Sequence, residues 1–269
     1  MESYSIPPAN PEVDSLKQKI QLFISCRNLK DLDIISKSDP FVEVWLKNDE
    51  RSSWVKVAQT ETINNNLNPD FSTPIPIDYY FEKIQEIRFE VYDQDPSRRE
   101  EQGKHQTKVS ALLGAKNQTY YAELKLASKP KSKRGQIIVT TDCVKSSNKS
   151  VKMSLSWNGL KSKKEFFGLI STNHPFLVIR RYKTQESAAE DYSNTVKVFT
   201  SNILHGTLMP SWNLGELKLE TLCNNNIDIP LIFEIWSYQK SGKHRIYGRV
   251  IGSVREMLDS VGQSQHIIK

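Results

Sequence analysis

Four of the nine aspartates in the first hundred residues form two close pairs, Asp33 with Asp39 and Asp93 with Asp95. An ionised carboxylate only accepts hydrogen bonds, and several brought together repel one another strongly. A divalent cation relieves that repulsion, and a hard ion such as calcium takes roughly six to eight oxygen ligands, several of them anionic. Asp93 and Asp95 stand two residues apart at the end of an alternating segment, so both side chains point the same way if the strand continues. Asp33 and Asp39 flank a connecting loop. Any one of these aspartates is explained by turn capping, which this residue does often. Four of them brought together would be a candidate set for such a cation.

Loops bearing such residues must meet at one end of a scaffold, and the sequence supplies strands to build it. KIQLFISC (19–26), PFVEVWL (40–46) and IQEIRFEVY (84–92) alternate apolar and polar positions and are rich in β-branched and aromatic residues. Long amphipathic helices are lacking, although REMLDSV near the C-terminus suits a short one. Many short strands separated by Asn, Pro and Ser turns predict an all-β sandwich. The same order of pieces then occurs twice: QLFISCRNL is echoed by KMSLSWNGL, SDPFVEVWLK by NHPFLVIRRY, NLNPDF by LMPSW and EIRFEVYDQD by LIFEIWSYQ. A duplicated sandwich follows, with its boundary near the polar stretch KSSNKS (145–150).

SDPFVEV, LNPDF and FEVYDQD resemble the signature of C2 domains, and DYYFEKIQEIRFEVYD together with the tandem pairing resembles the copine family. The resemblance runs from about Leu16 to the C-terminus and is more specific in the first half. It implies two tandem antiparallel C2 β-sandwiches with Greek-key connections. These are a disordered tail at 1–15, a calcium-competent first domain at 16–145 and a second domain at 146–269. It makes Asp33, Asp39, Asp93 and Asp95 calcium ligands, with the main-chain carbonyl of Gln94 as an addition. The family adds a fifth carboxylate: counting forward from Asp95 selects Glu101, the preferred choice, and counting back from Gly103 selects Glu100. Ile34 and Ile35, between the first two ligands, either enter a lipid headgroup region or pack on the neighbouring loop. Arg98 and Arg99, at the other tip, are placed to hold phosphates. Copines also carry a von Willebrand A-type domain, whose DxSxS signature is absent here. Little sequence follows VGQSQHIIK to supply a last strand, so either the natural protein continues past residue 269 or a neighbour completes the sheet.

Aligned on the first unit, the second reads Gly168, His174, Ser237, Gln239 and Arg245 at the five ligand positions, none of them acidic. Calcium chemistry is expected to be lost there. The EFFGLI loop (165–170), preceded by Lys161, Lys163 and Lys164, either contacts a membrane or a protein or belongs to the core.

Over the 269 residues the formal net charge is +6, which favours acidic partners without choosing among them. KPKSKR (129–134) has no interleaved aromatics, and no nucleic-acid motif is present, so nucleic acid is not an expected partner. Three widely spaced cysteines suit a reducing compartment, and the polar N-terminus reads as neither a signal peptide nor a membrane span. No nucleophile elbow, phosphate-cradling Gly-rich loop or HExxH pattern occurs, so no enzyme is expected. The reading is a cytoplasmic, peripherally membrane-associated protein that binds anionic phospholipid in a Ca2+-dependent way and recruits protein partners of unknown identity. The other reading is an adaptor that uses its C2 domains as protein-interaction surfaces within a larger assembly.

Overall fold

A computed structural model of the chain describes residues 17–32, 37–49, 52–94, 98–144, 147–160, 173–183 and 192–260. The N-terminal tail expected at 1–15 lies outside the described residues. Eight strands build the first sandwich: β1 (Lys17–Arg27), β2 (Pro40–Lys47), β3 (Val55–Gln59), β4 (Ile75–Tyr80), β5 (Glu86–Gln94), β6 (Arg99–Lys108), β7 (Thr119–Glu123) and β8 (Gln136–Cys143). They form two antiparallel sheets, ordered β4-β1-β8-β7 and β3-β2-β5-β6, and the chain crosses between them four times. Alternation sets what each strand buries. Ile87, Phe89 and Val91 of β5 face inward against Val42 and Val44 of β2, with Ile137 and Val139 of β8 opposite. Full burial of such a side chain contributes about 1.5–3 kcal/mol, so Phe89→Ala costs about 3–5 kcal/mol. Gly135 opens β8 with φ of +90°, and a Cβ there would lie 2.6 Å from the carbonyl oxygens of Arg27 and Asn28, so only glycine lets β8 run against the end of β1.

The second unit repeats the plan with β9 (Ser150–Ser156), β10 (Pro175–Tyr182), β11 (Thr195–Thr200), β12 (Ser211–Lys218), β13 (Leu231–Ser237) and β14 (Arg245–Gly252). Its larger sheet is ordered β11-β10-β13-β14, and among the described residues its other sheet has two strands, β12-β9. Even the irregularities recur. The register shifts after Val44 and after Val91 in the first unit, and after the equivalent Ile179 and Ile235 in the second. Residues 255–259 of REMLDSV lie in a short helix, α1 (Val254–Asp259), started by a capping box in which Ser253 Oγ accepts from Glu256 N–H and Ser253 N–H donates to the Glu256 carboxylate.

The two sandwiches share a face. β1 is buried on both sides from Ile20 to Ile24: its even positions enter the first core, and Phe23 enters the second beside Leu177, Ile179 and Val196. Arg181, 1 % exposed, lies over the Phe23 ring and pairs with Asp142 of β8 at 2.6 Å. Asn224 donates to the same carboxylate at 2.9 Å. Further along, Arg180 pairs with Asp70 at 2.7 Å, and Arg27 meets the other oxygen of that carboxylate at 2.7 Å. Burial pushes the Asp70 carboxyl up, but the Arg180 and Arg27 guanidiniums outweigh it and hold it below its ordinary value. No helix among the described residues is long and apolar enough to cross a membrane.

Candidate calcium centre

Pairing of β2 with β5 sets Pro40 opposite Asp93, which brings Asp39 and Asp93 together at one end of the first sandwich. The Asp93 carboxylate accepts the Asp39 backbone N–H at 2.6 Å, and Gln94 N–H donates to the Asp39 carbonyl at 3.1 Å. The Asp39 carboxylate is oriented from the β3–β4 loop: Asn65 N–H donates to Asp39 Oδ1 at 2.6 Å. Asp93 is 1 % exposed, a carboxylate carried into the interior at the mouth of the loops. The base of the first loop is braced by Ser38, whose hydroxyl accepts from Leu32 N–H and from the Gln102 amide, both at 3.1 Å. That same Gln102 amide reaches the Lys30 carbonyl at 2.9 Å.

The β5–β6 register separates the two candidates for the fifth carboxylate. Asp93 pairs with Glu100 and Tyr92 with Glu101, and directly opposed residues share a face. Glu100 therefore lies on the Asp93 side of the hairpin, next to Arg98 at 3.2 Å. Glu101 lies on the other face, 4.0 Å from Lys104. Between Glu101, opposite Tyr92, and Gly103, opposite Val91, Gln102 is an extra residue, a bulge in β6. The internal repeat agrees, because Arg245 pairs with Ser237 as Glu100 pairs with Asp93.

Arg98 is at the tip, its side chain 70 % exposed. Arg99 is committed elsewhere: it pairs with the buried Glu43 at 2.7 Å and lies over the Tyr92 ring at 4.7 Å. Lys56 meets the same Glu43 oxygen at 2.7 Å. Burial alone raises the Glu43 carboxyl, and these two cations more than reverse it, leaving it below the usual range. Asp33, Ile34, Ile35 and Asp95 lie outside the described residues. Among the described residues no group of three or more His, Cys, Asp or Glu side chains is gathered as a metal site. Asp39 and Asp93 fit a hard divalent cation, being oxygen donors held side by side and oriented by backbone N–H groups.

The corresponding end of the second sandwich keeps the backbone and changes the chemistry. Tyr238 N–H donates to the His174 carbonyl at 2.9 Å, the counterpart of the bond from Gln94 to Asp39. His174 Nδ1 meets His205 Nδ1 at 3.2 Å, an arrangement that needs one nitrogen protonated and one not. Ser237 replaces Asp93 and accepts from the Gln239 amide at 3.3 Å, and Gln239 N–H donates to His244 Nδ1 at 3.1 Å. Burial and the nearby Lys197 lower the His244 pKa, which keeps that nitrogen an acceptor. Gly168 and the EFFGLI loop lie outside the described residues.

Sequence reasoning missed a matched pair of buried glutamates on β5 and β13, on the faces turned away from the cores of their sandwiches. Glu90 accepts from Tyr92 Oη at 2.8 Å and pairs with Arg88 at 2.8 Å. Glu234 accepts from Trp236 Nε1 at 3.0 Å and pairs with Arg180 at 3.4 Å. The signal was present: FEVY and FEIW put Glu at the same place in both repeats, two residues before an aromatic donor.

Comparison with known proteins agrees with this duplicated plan. The family model described as C2 domain matches residues 21–124 and again 131–268. Copine-A of Dictyostelium discoideum is 32% identical over 240 residues, covering 89% of this chain and 38% of that protein. Copine-B of the same organism is 33% identical over 241 residues, covering 86% of this chain and 42% of that protein. The chain thus spans about two fifths of the length of these curated relatives. Among solved structures, a single C2 domain of plant extended synaptotagmin 1 matches with 20% identity over 48% of this chain and 97% of that chain, at a TM-score of 0.37. The chain belongs to the C2-domain family and is a copine-like tandem pair of C2 sandwiches.

Proposed function

We propose that the chain is a non-enzymatic, calcium-regulated protein that binds anionic phospholipid through the loop end of its first sandwich and brings protein partners to the membrane. The observation that supports this most is Asp93, a nearly fully buried carboxylate placed against Asp39 at the meeting point of the loops. In this reading Asp33, Asp95 and Glu100 are the further ligands, which makes five carboxylates. Such a number is stable at one end of a domain only with a compensating cation. When bound, calcium supplies the positive charge that turns an acidic rim into one attractive to anionic headgroups. The chain's own residues do the rest. Asn65 and the β2–β5 register fix the Asp39 and Asp93 oxygens, and Arg98 stands at the rim for phosphate.

Sedimentation with vesicles of phosphatidylserine and phosphatidylcholine tests this directly. Binding should require calcium, and Asp39→Asn with Asp93→Asn should abolish it. Equal binding by wild type and double variant would defeat the reading.

A second reading, an adaptor acting through protein contacts alone, is favoured by the second sandwich. Its loop end carries imidazole, hydroxyl and amide groups where the first carries carboxylates. Calcium-independent capture of a partner by a variant with all five first-unit carboxylates neutralised would favour it over the lipid mechanism.

A further inference from the structure

We infer that Asn65 is a positioning residue for the cation centre, and that the second sandwich holds it in place through Gly242. This rests on the calcium reading of the first loop end. The β3–β4 loop, residues 60–74, faces two ways. On one side it grips the centre: Asn65 N–H holds Asp39 Oδ1 at 2.6 Å, Asn65 Oδ1 accepts Lys37 N–H at 3.2 Å, and Asn66 N–H donates to the Ser38 carbonyl at 3.1 Å. Asn65 does this from a left-handed conformation, φ of +55°, which asparagine tolerates better than other side-chain-bearing residues.

On its other side the loop meets the second sandwich. Gly242 closes the β13–β14 turn, its N–H donating to the Gln239 carbonyl at 3.0 Å, with φ of +70°. It packs directly against the Asn65 peptide. A Cβ at Gly242 would overlap the Asn65 carbonyl oxygen and lie 2.8 Å from its carbonyl carbon. Five residues on, Asp70 is fixed by Arg180. Between these two contacts the loop and the β10, β11 and β13 surface enclose a cleft of about 680 Å³, lined among others by Glu61, Asn64, Lys197, Trp236 and His244. Asn65, whose N–H orients a cation ligand, is thus backed at its carbonyl by the β13–β14 turn of the second sandwich.

Two consequences follow from that geometry. A shift of the second unit moves the Asn65 N–H and with it the Asp39 carboxylate. Reciprocally, an ion that fixes Asp39 fixes the seat of the second unit, because coupling free energies are symmetric. The second sandwich then tunes calcium affinity in the first without binding calcium.

The test uses the full chain and five proteins: wild type, Gly242→Val, Arg180→Gln, Asn65→Gly and Asn65→Val. Calcium affinity is read by calorimetry, and hydrogen exchange of the Asp39 and Asn65 amides is read without calcium. Gly242→Val should weaken calcium about tenfold, a coupling of ordinary size, and speed exchange at Asn65. Asn65→Gly, which keeps the left-handed backbone and its N–H, should retain most of the affinity, whereas Asn65→Val should lose it. Arg180→Gln, which loosens the same seat without adding bulk, should act in the same direction if Gly242→Val proves poorly folded. Unchanged affinity in Gly242→Val and Arg180→Gln, whatever the exchange rates, would overturn the positioning role while leaving the calcium reading intact. Absence of calcium binding by wild type would instead overturn the calcium reading and the positioning role with it, and faster calcium-free exchange would then report only the mechanical contact.

Discussion

The loop ends of the two sandwiches share a backbone and differ in almost every functional atom. Gln94 N–H to Asp39 carbonyl and Tyr238 N–H to His174 carbonyl are the same bond, at 3.1 and 2.9 Å, and the register shifts fall at equivalent residues. Yet one end presents carboxylate oxygens, and the other an imidazole pair, a hydroxyl and an amide. The scaffold is specified by apolar alternation and strand pairing, which are indifferent to what the loop ends carry. Duplication therefore left the second end free to take on a different task, and in this molecule that end abuts the first.

The comparison is broken most severely by removing the buried carboxylate. Asp93→Asn should lower calcium affinity by about a hundredfold, since affinity in such sites follows ligand charge, while Ser237→Ala at the equivalent position changes nothing; paired calorimetric titrations decide it. The next effect concerns what joins the two bodies. Asp142→Ala strands the nearly inaccessible Arg181 without its carboxylate and should destabilise the chain by about 3–5 kcal/mol. Chemical denaturation reads this, and the double change Asp142→Leu with Arg181→Leu should recover most of the loss.

Acid should act through Asp70 and Glu43. Both carboxyls sit below their unfolded values, Asp70 through Arg180 and Arg27 working against burial, Glu43 through Lys56 and Arg99 doing the same. A depressed folded value contributes stability above the ordinary carboxylate range, about pH 4, and loses it as pH falls through the folded value. Melting temperature should therefore fall steeply below about pH 4, and Arg180→Gln should flatten the part due to Asp70; an identical profile in that variant would remove Asp70 from the account. The smallest effect is local. Ser253→Ala removes one half of the capping box and should cost about 1 kcal/mol, with Ser253→Asp restoring it and calcium binding untouched in both.

Much of the architecture could be read before any coordinate. Strand alternation placed Lys19–Cys26 within β1 and Pro40–Leu46 within β2, and the repeated order of segments matched the repeated topology. The approach of Asp39 to Asp93 was implied by the C2 resemblance, and the pairing of β2 with β5 carries it, since Asp39 directly precedes β2 and Asp93 lies near the end of β5. Counting from Asp95 and counting from Gly103 select different glutamates, and strand pairing, which exists only in the folded sheet, sets Glu100 opposite Asp93. Arg99 read as a tip residue, and its attraction to Glu43, 56 positions away, is a property of the folded sheet. The interface was hidden for the same reason: Arg180 and Asp70 are 110 residues apart, and nothing local announces their meeting. One sign was available. Two adjacent arginines closing the apolar run PFLVI of NHPFLVIRRY are poorly suited to a freely standing sandwich.

Phe23 belongs to one sandwich by sequence and to the other by packing, and that divided allegiance governs how the pair can be taken apart. Each half expressed alone would uncover a phenylalanine in mid-sheet or a core end flanked by arginine. Neither is a portable cassette. A descendant of this chain that exchanged its first half for a relative's would inherit every surface loop and still fail to assemble, unless position 23 came with it.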